Sequence, residues 1–272
     1  MLQAMTLNAD VPARVTLESA AGVATLTLNS PALRNALSLA MIAALSDQLD
    51  ALAGRNDIYA VLLQAEGPAF CAGHDLKELT AHRNDPDRGR AFFDETMRAC
   101  SALMQKIVRL PQPAIAAVDE MATAAGCQLV ASCDLAVAGP RARFCTPGVD
   151  IGLFCSTPAV ALSRNVAPKH AMEMLLTGAP IGAEEALRIG LVNRISAEGA
   201  RSGALALAQR IARKSPQAIR FGKQAFYAQR EKPLAEAYDL ASAVMVDNML
   251  AEDAKEGVAA FLEKRAPTWA RQ

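Results

Sequence analysis

The chain has 272 residues, with 28 Lys plus Arg against 28 Asp plus Glu; 52% of it is hydrophobic and 4% aromatic. Balanced charge excludes a global basic field for nucleic acid, and scarce aromatics leave no stacking platform for single strands. One large α/β domain or two smaller ones, with cores of Ala, Leu, Val and Ile and a small-molecule ligand, is the default.

The opening residues, MLQAMTLNADVPARVTLES, show no basic flank followed by an apolar run. No charge-free apolar stretch reaches the ~18 residues that a membrane span needs. The expectation is a cytoplasmic protein with no membrane or nucleic-acid partner. The six cysteines form no C-x-x-C pair and the three histidines are scattered, so reduced, packing thiols and no metal site are expected.

Residues 13–18 and 22–28 predict a hairpin, and "NSPALRNALS" a loop from which Ser38 caps a helix running to about residue 53. Met41, Ala44, Leu45, Leu49 and Leu52 give that helix one apolar face. A buried strand over 59–67 leads into the loop "EGPAFCAGHDLKEL". A helix over 88–109 is stopped by Pro111 and Pro113, and a wholly apolar strand over 113–119 leads into "TAAGCQLVASCD". After a strand at 134–139 the pattern is helical to about residue 264. The whole reads as an α/β core over 1–200 and a helical region over 201–272, within one functional unit.

Two loops leave buried strands with small residues at a helix start. Ala72 and Gly73 precede His74, Asp75 and Leu76; Ala124, Ala125 and Gly126 precede Cys127 and Gln128. First-turn amides of a helix lack intrahelical acceptors, and small side chains let a ligand oxygen approach them. Neighbouring strands would let one N–H from each loop converge on an oxyanion; close helix-on-strand packing is the alternative reading of the same residues. His74 beside Asp75 invites a proton-transfer role, against a surface or hydrogen-bonded one. Gln128 exchanges no proton at neutral pH, which excludes it as a general base. Glu120 and Asp150 are the other carboxylates near these loops.

At these residues the sequence resembles the crotonase (enoyl-CoA hydratase/isomerase) superfamily, in its branch labelled "enoyl-CoA hydratase domain-containing". "GPAFCAGHDLKEL" is similar to the first oxyanion motif; "QPAIAAVDEMATAAGCQLVASCDLAVAGPRARFCTPGVDIGL" is similar to the second and its continuation; "EGVAAFLEKRAPTW" resembles the usual ending. The likeness runs from about residue 13 to 269. It implies a spiral of ββα units, C-terminal helices at a trimer interface, and often a hexamer of two trimers. It implies an acyl-CoA thioester as ligand, in fatty-acid or acyl-CoA metabolism, with coenzyme A present only as part of the substrate and no other cofactor.

The resemblance also implies roles. The N–H groups of His74 and Ala125 fall at the two oxyanion donors, with Ala72, Gly73, Asp75, Leu76 and Gly126 around them. Ala32, Leu33 and Arg34 match the segment lining the CoA pocket, and Phe261 and Lys264 match positions that reach a neighbour's CoA. Hydratases of the family carry glutamates where this chain has Gln128 and Gly148. Each positioned acid or base contributes roughly 10²- to 10⁴-fold, so water addition should be severely slowed while enolate stabilisation is kept. Three functions stay open: enolate chemistry with His74, Asp150 or water moving the proton; acyl-CoA binding without chemistry; and isomerase or thioesterase activity.

Overall fold

A computed structural model describes residues 13–270. The hairpin forms as read: β1 (Val15–Ala20) pairs antiparallel with β2 (Val23–Leu28). The Ser38 hydroxyl accepts from the Met41 N–H at 3.2 Å, capping α1 (Leu39–Ala53). There follow β3 (Ala60–Ala65), β4 (Ala69–Cys71), α2 (Leu76–Ala81) and α3 (Arg90–Arg109), then β5 (Ala114–Val118), β6 (Met121–Thr123) and α4 (Ala125–Ser132). The next unit is β7 (Leu135–Ala138), β8 (Arg143–Cys145), α5 (Ser156–Leu162) and α6 (Pro168–Thr177). Two short strands, β9 (Ile181–Gly182) and β10 (Arg194–Ile195), flank α7 (Ala183–Arg188), and α8 (Ala200–Ala212), α9 (Pro216–Gln229), α10 (Leu234–Leu250) and α11 (Glu252–Leu262) complete the fold.

From β3 to β8 successive strands alternate between two sheets. The larger runs β1-β2-β3-β5-β7-β10 and the smaller β4-β6-β8-β9. The units β3-β4, β5-β6 and β7-β8 therefore each add one parallel strand to each sheet before a helix carries the chain onward, which produces the spiral. The period-2 alternation of a strand divides the core. Val61, Leu63, Ala114 and Ala116 face the main cluster with α1 and α3, while Ala60, Leu62, Ile115 and Ala117 face the other way. Burial on both faces is why "AIAAV" of β5 is an unbroken apolar run.

That second face is covered by α8 through Ala200, Ala204, Leu207 and Ala208. A division at residue 200 thus assigns to the helical region a helix that packs on the core sheet. The remaining helices differ in character, since neither α9 nor α10 has a buried residue. What ties α9 down is ionic. Lys223 Nζ donates to Asp134 Oδ2 at 2.7 Å and Tyr227 Oη to Asp134 Oδ1 at 2.9 Å, at the junction of α4 and β7. Burial lowers the Lys223 pKa in spite of the carboxylate beside it. No helix among the described residues is long and apolar enough to cross a membrane.

Candidate active site

The two small-residue loops meet. A Cβ placed on Gly73 (φ +82°) would stand 3.1 Å from the Thr123 carbonyl oxygen and 3.4 Å from the Ala125 nitrogen. One on Gly126 would stand 2.2 Å from the Cys71 carbonyl oxygen, so only glycine lets α4 approach β4 this closely. The parallel pairing of β4 with β6 is what sets the loops side by side. At the entrance to α4, Ala124 takes φ 51° and ψ −116°, a strained backbone for a residue with a Cβ.

The loop before α1 completes the arrangement. Ala72 N–H donates to the Arg34 carbonyl at 3.0 Å and Leu37 N–H to the Gly73 carbonyl at 2.7 Å. Those bonds use the loop's other polar groups and leave the His74 and Ala125 N–H groups without a hydrogen-bond acceptor among the described residues. Two unused donors, one at a helix N-terminus, lie on loops that touch each other, and such donors suit a partly negative oxygen.

The ring of His74 lies against the Leu37 carbonyl, with Nδ1 3.4 Å away, and its Nε2 is buried without a partner. Burial lowers its pKa below the ordinary histidine value, only partly offset by that carbonyl. The neighbouring Asp75 carboxylate is committed elsewhere: it caps α2, accepting from Lys77 N–H at 2.9 Å and Glu78 N–H at 3.2 Å. Adjacent in sequence, the two side chains do not form a proton-transfer pair. Leu76 begins α2 and is exposed.

Gln128 is 4% exposed, and its Oε1 is buried with no partner. An orphaned buried acceptor costs about 1–3 kcal/mol. It lies in the wall of a cavity of about 700 Å³ between α3, α4, α5 and α9, where Met104, Val108, Ala131, Val160 and Ala161 supply apolar surface. Of the residues singled out from the sequence, Gln128 alone lines that cavity; His74, Ala125, Gly148 and Asp150 do not.

Gly148 lies in the short 3-10 turn Pro147–Ile151. Its Cβ would meet the Leu153 carbonyl oxygen at 2.8 Å and Cys155 Sγ at 2.9 Å. The turn has closed on this position and fills it with a thiol, which burial keeps protonated by raising its pKa. Asp150 is exposed, and Glu120 pairs with Arg141 at 2.9 Å at the surface. Neither carboxylate is brought to the two free amides by any hydrogen bond.

Ala32, Leu33 and Arg34 form an exposed 3-10 turn stitched to the His74 loop through Arg34. Sequence reasoning missed what holds it there. Asn35 (φ +53°) is fully buried; its Nδ2 donates to the Glu66 and Ala69 carbonyls at 2.8 and 2.9 Å, and its Oδ1 accepts from Ser30 N–H at 2.8 Å. The available signal was an Asn in a loop, the side chain that tolerates left-handed backbone. Phe261, 82% exposed, and Lys264 stand at the end of α11, which packs on α9 and α10. Within one chain they are not joined to these loops. Among the described residues no group of three His, Cys, Asp or Glu side chains is placed to hold a metal ion.

The family model for enoyl-CoA hydratase/isomerase matches residues 18–272. The rat protein named enoyl-CoA hydratase domain-containing protein 3, mitochondrial, is 47% identical over 91% of this chain and 81% of its own length. Two solved structures superpose with a TM-score of 0.89. An enoyl-CoA hydratase of Mycobacterium smegmatis is 48% identical, covering 94% of this chain and 98% of that one. The human enoyl-CoA hydratase domain-containing protein 3 is 45% identical, covering 94% and 100%. These likenesses confirm the crotonase-like α/β fold. They also correct the expectation of a cytoplasmic location: relatives matching nine-tenths of the chain are named as mitochondrial proteins. That expectation rested on the opening residues, of which 1–12 lie outside the described part.

Proposed function

The chain belongs to the enoyl-CoA hydratase/isomerase family, and from that premise we propose that it binds an acyl-CoA thioester and stabilises the enolate form without efficient water addition. The observation that carries this reading is the approach of Gly73 to Ala125, with the His74 and Ala125 N–H groups left unused. A thioester oxygen placed there accepts from both, and its developing charge is what such donors stabilise, by roughly 2.7–4 kcal/mol each. Coenzyme A enters as part of the ligand, past the turn of Ala32, Leu33 and Arg34; no further cofactor is invoked.

Water addition needs a base on one side of the bond and an acid to finish it. The amide of Gln128 supplies neither, Gly148 has no side chain, and Cys155 beside it stays a neutral thiol. With the Asp75 carboxylate committed to capping α2, the proton carrier left on the donor loops is the imidazole of His74, kept neutral by burial and enough for a single proton shift. Ligand binding without turnover is the alternative that this poverty of proton carriers supports.

Self-association belongs to the same proposal. Leu234, Tyr238, Met249 and Leu250 on α10 and Phe261 and Leu262 on α11 are 67–82% exposed, an apolar face that a trimer or its double would cover. Phe261 and Lys264 would then act on a partner's ligand.

The test is calorimetric binding of saturated acyl-CoAs, alongside turnover of crotonyl-CoA and longer enoyl-CoAs for hydration, double-bond shift and thioester hydrolysis. Binding with hydration slowed roughly 10²- to 10⁴-fold relative to a hydratase carrying both glutamates is the expected result. Fast hydration that survives Gln128→Ala sinks the reading of the site; binding with no conversion in the whole panel moves the protein to the carrier or sensor alternative.

A further inference from the structure

The peptide between Gly73 and His74 carries the unused His74 N–H at one end and the Gly73 carbonyl at the other. A peptide is planar and trans, so whatever holds that carbonyl also aims the N–H, in the opposite direction. The Gly73 carbonyl accepts from Leu37 N–H at 2.7 Å, and Ala72 N–H donates to the Arg34 carbonyl at 3.0 Å. Leu37 and His74 pair as neighbouring parallel strands do. Segment 34–37 is therefore the template that orients this donor.

Asn35 lies inside that segment, fully buried, with every polar atom of its side chain engaged. Its Nδ2 donates to the Glu66 and Ala69 carbonyls at 2.8 and 2.9 Å, which bracket the connection between β3 and β4. Its Oδ1 accepts from Ser30 N–H at 2.8 Å, and its own N–H returns a bond to the Ser30 carbonyl at 3.0 Å. The first pair anchors the segment to the root of β4, the strand that runs into the His74 loop. The second closes the turn of Ala32, Leu33 and Arg34. Two donor hydrogens and an acceptor oxygen are a set that no other side chain of this size offers.

We infer that Asn35 is a positioning residue that couples the two ends of the ligand: it sets the His74 N–H for the thioester oxygen and, through the same side chain, the turn that admits coenzyme A. The inference rests on the proposal that the thioester oxygen sits on the His74 and Ala125 amides. Asn35 has no exposed surface and acts through Leu37 and the Gly73 carbonyl. With its anchor removed, segment 34–37 lets the Gly73–His74 peptide rotate, and the donor leaves the oxygen.

The experiment is infrared difference spectroscopy of butyryl-CoA, labelled with carbon-13 at the carbonyl and bound at saturation to the full chain, with calorimetry of free coenzyme A beside it. Hydrogen bonds to a carbonyl oxygen lower its stretching frequency, so the band reads the donors directly. Asn35→Gly keeps the left-handed backbone (φ +53°) and removes the side chain; Asn35→Asp keeps the bond from Ser30 and removes both donors. The wild-type band should be downshifted, and each folded variant should lose most of that downshift. Asn35→Gly, which also opens the turn, should bind free coenzyme A about tenfold more weakly. A variant that melts lower yet keeps the wild-type band has lost only a structural contact and overturns the inference, as does unchanged coenzyme A affinity in Asn35→Gly. If neither variant folds, hydrogen exchange in the wild type decides: the Ser30, Leu37 and Ala72 amides should open together, and independent opening overturns the inference. Butyryl-CoA that fails to bind the wild type, or binds without a downshift, overturns the underlying site reading as well, so the two failures are distinguishable.

Discussion

The sulfur of Cys155 lies 2.9 Å from where a Cβ on Gly148 would stand, and the carbonyl oxygen of Leu153 lies 2.8 Å from it on the same turn. A glutamate at 148 thus has no room as well as no precedent in this chain. Gly148→Glu should destabilise the protein by about 2–4 kcal/mol, because backbone rather than a flexible side-chain tip must move. Gln128→Glu combined with Gly148→Glu should not restore hydration. Urea unfolding and crotonyl-CoA turnover check both statements, and a stable, active double variant refutes them.

Ala124 is strained where Gly126 is indispensable, although one residue separates them. Replacing Ala124 by Gly should stabilise the fold by about 1 kcal/mol, the relief at positive φ exceeding the added chain entropy. Gly126→Ala should instead cost roughly 3 kcal/mol or more through its overlap with the Cys71 carbonyl. Thermal melts of the two variants should move in opposite directions.

The Lys223–Asp134–Tyr227 group holds α9 against the core and with it one wall of the cavity. Lys223→Met leaves Asp134 buried with only Tyr227 and the Ala114 N–H as partners, a loss of about 3–5 kcal/mol. Chemical denaturation measures it; a change within about 0.5 kcal/mol, the range of an ordinary surface substitution, is the result that sinks it.

Burial lowers the His74 pKa, so between the folded value and the ordinary ~6.5 the unfolded chain binds more protons. The stabilisation by neutral His74 is therefore complete above the unfolded value and is lost as pH falls through the folded one. Between about pH 8 and about pH 5 the wild type should lose more stability than His74→Gln. NMR titration of the ring should give a midpoint below the ordinary value, and a midpoint above it contradicts the burial argument.

The apolar face of α10 and α11 should be covered in solution. Light scattering should give three or six times the 28.7 kDa of one chain, and Leu250→Glu should shift the mass downward by placing a charge in that interface. A monomeric wild type would falsify the self-association proposal.

Much of the architecture was legible along the chain because its long elements carry period and punctuation. The hairpin, the Ser38 cap and the boundaries of α3 near Pro111 follow from local rules. The short strands β4, β6 and β8 were not visible, because three residues are too few to display alternation; only pairing with one another makes them strands. Those unseen strands are what bring the two small-residue loops together.

The sequence by itself determined the family, the two loops with their glycines, and the absence of a base at Gln128, because these are matters of residue identity. Tertiary structure alone decided that Asp75 caps a helix instead of serving His74, that Cys155 occupies the space beside Gly148, and that Gln128 faces a cavity with its amide unpaired. Each is a question of which groups distant in sequence compete for the same few ångströms, and packing settles that only once the strands are in register.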